Sequence, residues 1–100
     1  MTDATARQDL VAFARALGDP TRLRLVLLLA EQPEGGALCV HALAHRLGVS
    51  QPAISQHLAV LRDLGLLHAE RAGARTHYTL DRAQWAAYRD LLDRLLPGGS

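Results

Sequence analysis

Lysine is absent: all 11 basic residues of the chain are arginines. The planar guanidinium fork suits phosphate and guanine recognition, although genome composition explains such a bias equally well. Cysteine occurs once, at Cys39, so no internal disulfide can form. No N-terminal stretch joins a basic region to an uninterrupted apolar run, and a cytoplasmic location is therefore expected. The longest apolar run, Leu25 to Ala30, falls far short of the roughly 20 residues a membrane-spanning helix needs, so no membrane partner is expected. With only four aromatic residues in all, leucine and alanine must fill the core.

What is present describes an ordinary folded chain of 100 residues, 49% apolar and 21% charged, read as a single domain over residues 1–100. A chain of this size builds a modest core and commonly gains stability by pairing with a copy of itself. The net charge of +1 is unevenly spread. Between His41 and His77 lie Arg46, Arg62, Arg71 and Arg75 against Asp63 and Glu70, together with all five histidines. The middle of the chain is thus its electropositive part, and distribution matters more than total charge for a nucleic-acid partner.

The punctuation divides the chain into a series of elements. Leu10, Phe13, Ala14 and Leu17 recur at helical spacing up to Gly18, giving a short first helix. Asp19 then caps a second helix whose first position is Pro20 and which runs to about Glu31. Gln32 to Gly36 reads as a loop. A third short helix, Val40 to Leu47, ends at Gly48, and Ser50 caps a fourth that begins at Gln51 and closes at Gly65. Two helices joined by about three residues including a glycine have the spacing of a helix-turn-helix unit. Leu66–Arg71 and Arg75–Leu80 read as a hairpin around Ala72-Gly73-Ala74. Asp81 caps a last helix, with Gln84 placed to complete a capping box, and Pro97-Gly98-Gly99 ends it. The expected fold is mainly α (α+β), a winged helix-turn-helix in the order α-α-α-α-β-β-α.

On a wheel of 100° per residue, Ile54, Leu58, Leu61 and Leu64 share one arc of the fourth helix, while Gln51, Ser55, Gln56, Ala59 and Arg62 face away. Glutamine can pair twice with adenine, serine can serve base or phosphate, and alanine lets a groove wall approach. The neighbouring strands add Arg71, Arg75 and His77, suited to phosphates or a minor groove. His57 joins the DNA-binding candidates, although the wheel puts it within the apolar arc, where a hydrogen-bonded boundary histidine is the alternative. Exposed glutamine and serine are commonplace on helices; it is their conjunction with the glycine turn, the small Ala44 at the helix crossing and the basic hairpin that points to duplex DNA.

The stretches ALGDPTRLRLVLLL, LCVHALAHRLGVSQPAISQHLAVLRDLGLL and ERAGARTHYTL resemble the ArsR/SmtB group of bacterial transcriptional repressors, over nearly the whole chain from Leu10 to Leu96. The resemblance implies a homodimer built on the first and last helices, and repression relieved by an inducer that is often a metal ion. It also implies DNA contacts from Gln51, Ser55 and Gln56, with Arg71 and Arg75 in the wing. The dimer candidates are Leu10, Phe13, Leu17, Trp85, Tyr88, Leu92 and Leu95. A two-fold molecule would present two recognition helices to successive major grooves, so the operator is expected to be an imperfect palindrome.

The group's soft-metal site begins with two cysteines one residue apart at the start of the third helix, where this chain has Cys39-Val40-His41. A thiolate with an imidazole suits zinc, nickel, cobalt or copper, and His45 lies a turn beyond. Three or four ligands must converge, however, and no others stand out. The group's alternative site on the last helix is missing, since Arg82 and Gln84 occupy its first positions. Cys39 reads equally as a small buried residue. Three further readings remain: a redox or small-molecule repressor, a winged-helix module that binds only protein, and an enzyme with Cys39 as nucleophile. The protein-only module leaves the outward glutamines and serine unused. For the enzyme, no motif pairs Cys39 with an ordered base and acid.

Overall fold

The computed structural model describes residues 3–33 and 36–96. Its elements are α1 (Asp3–Leu17), α2 (Pro20–Ala30), β1 (Leu38–Cys39), α3 (Val40–Leu47), α4 (Gln51–Asp63), β2 (Leu67–Ala72), β3 (Arg75–Leu80) and α5 (Arg82–Leu95). The winged helix-turn-helix is present, with one addition: the short β1 pairs antiparallel with β3, giving a sheet of order β1-β3-β2. Two residues carry no periodicity of their own, so β1 exists only through its partner strand. Among the described residues no helix is long and apolar enough to cross a membrane.

Helix α1 starts well before its apolar stripe. Its early turns bury little beyond Ala6 and rest on the good helix formers alanine, arginine and glutamine. Asp19 accepts hydrogen bonds from the N–H groups of Thr21 (2.9 Å) and Arg22 (3.0 Å), with Pro20 in the first turn of α2. These bonds hold the Asp19 carboxyl below its ordinary pKa, the Arg22 N–H contributing most. The hairpin differs from expectation by one residue. Leu66 donates its N–H to the carbonyl of Leu61 at 3.1 Å, which makes it the exit of α4, and β2 therefore begins at Leu67. Ala72 pairs with Arg75, leaving a two-residue turn in which Gly73 alone takes a positive φ, 65°, the type II′ pattern that matches strand twist.

The core lies between α2, α3, α4 and the inner face of the sheet. Leu25, Leu43, Ile54, Leu58, Leu61 and Leu66 are its most deeply buried large side chains, each contributing about 2 kcal/mol of transfer free energy. The aromatics sit at its edge and join α1 to α5: Phe13 stacks on Tyr88 (4.5 Å between centroids) and meets Trp85 edge-on at 5.4 Å. Tyr88 is thereby 9% exposed within its own chain, and its hydroxyl donates to the Leu64 carbonyl at 3.1 Å.

The capping box of α5 is only half formed. The Asp81 carboxylate accepts from the Gln84 N–H at 2.9 Å, but the Gln84 amide donates to the Leu64 carbonyl and the Asp81 N–H to that of Leu66. Both bonds tie α5 to the corner after α4. The expected stop at Pro97 to Gly99 lies outside the described residues.

Candidate nucleic-acid interface

The helix-turn-helix is set by two short-range devices. Gly48 ends α3 in the left-handed region (φ 67°, ψ 34°), a conformation that costs a side-chain-bearing residue about 1–2 kcal/mol. Ser50 then caps α4, its hydroxyl accepting from the Ala53 N–H at 3.3 Å. Ala44, 7% exposed, lets α3 and α4 approach closely. In α4, Ile54, Leu58 and Leu61 are buried, while Gln51, Ser55, Gln56, Ala59 and Arg62 are exposed. The wheel and the structure agree on both faces.

The exposed side chains differ in freedom. Among the described residues Ser55 and Gln56 have no side-chain partner, whereas the Gln51 amide lies 3.0 Å from His41 Nδ1. His57 does not stand with them. It is half-buried, with Nδ1 3.3 Å from Nη1 of Arg22 on α2.

The hairpin arginines are exposed but not adjacent. Arg75 pairs with Ala72 and Arg71 with Thr76, and because neighbouring strand residues point to opposite faces, the two arginines flank the wing rather than share a side. His77 follows Arg75 on its face, opposite Cys39. That register makes Arg75 and Cys39 diagonal neighbours, and Arg75 Nη1 reaches Cys39 Sγ at 3.8 Å. Cys39 and Arg75 lie 36 residues apart along the chain; only the β1–β3 pairing joins them.

Cys39, His41, Gln51, Arg75 and Tyr78 line an open cleft of about 400 Å³ between the start of α3, the start of α4 and β3. Cys39 is the N-cap residue of α3 without a standard capping hydrogen bond from its sulfur. The Ala42 N–H nevertheless lowers its thiol pKa most, burial opposes the shift, and the Arg75 guanidinium adds to the lowering. The expected metal donors are directed elsewhere, Cys39 to Arg75 and His41 to Gln51. Among the described residues no three His, Cys, Asp or Glu side chains converge to hold an ion. A closed transition-metal site needs that number at least, and the donors among the described residues do not form one.

Of the dimer candidates, Leu10, Phe13, Leu17, Trp85 and Leu95 are half-buried and Leu92 is exposed. Tyr88 is already spent within its own chain. Val11 on α1, Leu92 on α5 and its C-cap Leu96 are exposed apolar residues, with 49%, 45% and 64% of their surface accessible, as are Leu23, Leu27 and Val60 elsewhere.

A glycine-turned helix pair, a second helix with a polar outward face, and a hairpin flanked by arginines define a winged helix-turn-helix protein. Comparison with known sequences then narrows the class. The family described as "Bacterial regulatory protein, arsR family" matches residues 19–69, and this chain belongs to it. The arsenical resistance operon repressor of Escherichia coli is 48% identical over 79 residues, covering 77% of this chain and 65% of the repressor. The arsenic resistance transcriptional regulator ArsR1 of Pseudomonas putida is 45% identical over 73 residues, covering 71% of this chain and 55% of that regulator. The chain thus spans between half and two thirds of these relatives. Among solved structures, HlyU from Vibrio cholerae superposes with a TM-score of 0.71 at 34% identity, over 95% of this chain and 97% of that one.

Proposed function

We propose that this chain is a sequence-specific DNA-binding transcriptional regulator, a repressor that acts as a homodimer on a palindromic operator. The observation that carries this reading is the outward set Gln51, Ser55 and Gln56 on a helix whose other side is anchored by Ile54, Leu58 and Leu61. Their amides and hydroxyl suit base edges, while Arg71 and Arg75 on the two sides of the wing suit the phosphates lining a groove. The exposed apolar side chains of Val11, Leu92 and Leu96 support pairing through α1 and α5, and two-fold pairing sets two recognition helices about one helical turn of DNA apart. The family match and the repressor names of the relatives support the same reading.

The relatives named for arsenical and mercury resistance suggest a thiophilic inducer. This chain answers with two soft donors, Cys39 and His41, which lie in the cleft beside Gln51 and Arg75. That placement favours a signal received there without a closed metal site. Selection from a pool of random duplexes tests the function: the full chain should enrich an inverted repeat. Arg75→Ala should then weaken binding on all sequences and lower the slope of log K against log salt by about 1, the loss of one phosphate contact. Failure to enrich any repeat would reject the reading.

A further inference from the structure

Arg22 stands on α2, outside the proposed DNA-reading face, and each arm of its guanidinium is committed. Nε donates to the Ala16 carbonyl at 2.6 Å and Nη2 to the Arg15 carbonyl at 3.3 Å. Both belong to the last turn of α1, where carbonyls have no partner within the helix, and Ala16 is 2% exposed, so water cannot easily replace the arginine. The third arm, Nη1, lies 3.3 Å from Nδ1 of His57 on α4. Asp19, whose carboxylate accepts the Arg22 N–H, supplies the negative charge beside both groups.

We propose that Arg22 is a positioning residue that sets the roll of the recognition helix relative to α1, by way of a hydrogen bond that fixes His57 as an Nδ1 acceptor. Guanidinium has five N–H donors and no acceptor. Its contact with Nδ1 is attractive only when that nitrogen carries a lone pair, so the single ring proton of the neutral histidine sits on Nε2. The other polar ties of α4 lie at its two ends, Gln51 to His41 and the Leu64 carbonyl to Gln84 and Tyr88; along its middle the buried anchors Ile54, Leu58 and Leu61 are apolar, and apolar packing has no preferred direction. A roll of about 20° moves a side-chain tip ~2 Å at the 5 Å radius of a helix. Hydrogen bonds to base edges tolerate only about 0.5 Å in length. A directional tie from α4 to α1 is therefore what keeps Gln51, Ser55 and Gln56 in register with a half-site.

This inference rests on the DNA-binding reading, and its test separates the two. Long-range 1H–15N correlation spectra of the full chain, at a pH where histidine is neutral, should show the His57 proton on Nε2; Arg22→Lys, which keeps the charge but loses the fork, should yield a mixture of tautomers. In parallel, the ratio of operator to random-duplex affinity is measured at fixed salt for Arg22→Lys, His57→Leu and His57→Asn, whose side-chain oxygen can stand where Nδ1 accepts. Arg22→Lys and His57→Leu should each lose about tenfold in that ratio, the worth of one hydrogen bond, with random-duplex binding within about twofold, and His57→Asn should recover most of the loss. If Arg22→Lys does not fold, the two His57 variants decide. A proton on Nδ1, an unchanged ratio in every variant, or His57→Asn as impaired as His57→Leu overturns the proposal. A wild-type chain that selects no duplex removes the DNA-binding reading and the positioning role with it; a proton on Nδ1 removes the positioning role alone.

Discussion

Cys39 shows how one side chain takes its chemistry from elements that are distant in sequence. It begins α3, where a backbone N–H favours the thiolate, and strand register brings Arg75 against its sulfur. Since thiolate is the nucleophile, the rate of alkylation by iodoacetamide should rise with pH through a midpoint below that of a free thiol. Arg75→Ala, which removes a group that stabilises the charged form, should move that midpoint upward; an unmoved midpoint would show that the contact does not form in solution. His41 and Cys39 are directed at separate partners, and equilibrium dialysis against zinc under reducing conditions should accordingly find no tightly held ion. One ion per chain that Cys39→Ser abolishes would contradict the donor geometry. Asp19 makes stability depend on pH. Its carboxyl is held below its ordinary value in the fold, so the stability it supplies is fully present above the unfolded pKa and is lost as pH falls through the folded one. Asp19→Asn should lower stability most at neutral pH and flatten the acid limb of the curve, so that variant and wild type converge as pH falls through the folded pKa.

At the scale of elements, the turn between α3 and α4 is the most sequence-determined part of the molecule. Gly48 at φ 67° has nothing within 4 Å of a built Cβ, so Gly48→Ala isolates backbone strain from crowding. It should cost about 1 kcal/mol, read as a lower denaturant midpoint at unchanged m-value. The helices were legible for a physical reason: caps and left-handed glycines are local, and Asp19, Gly48, Ser50 and Asp81 each act within a few residues of their own position. Both faces of α4 were legible too, because 3.6-residue periodicity is encoded along the chain. What no local pattern encodes is tertiary. Strand β1 has no pattern without β3, the Gln84 amide leaves its own cap for the Leu64 carbonyl, and His57 and Gln51 find partners on other helices. None of these pairings has a spacing rule that could be applied to a sequence.

The whole molecule is organised as two regions: a helix-turn-helix with its wing, and an α1–α5 pair closed by Phe13, Trp85 and Tyr88. Within the single chain Tyr88 is buried, and among the exposed apolar residues Val11, Leu92 and Leu96 belong to α1 and the C-terminal end of the chain's α5 region. Leu92→Glu should therefore place a charge in the pairing surface and yield monomers by sedimentation, with helix content retained; an undisturbed dimer would put the interface elsewhere. Arg22 connects the two regions, which gives the proposed pairing surface a mechanical route to the recognition helix.

The outward amides of α4 are assigned to reading base edges in a paired molecule. Gln51→Ala combined with Gln56→Ala, measured on the selected operator and on random duplex at one salt concentration, tests this most directly. The double variant should remain a folded dimer, keep its random-duplex affinity, and lose roughly 10- to 100-fold of its preference for the operator, as expected when glutamine contacts worth about 1–3 kcal/mol each are removed. An operator preference equal to that of the wild-type chain would contradict the assignment of α4 as the reading helix.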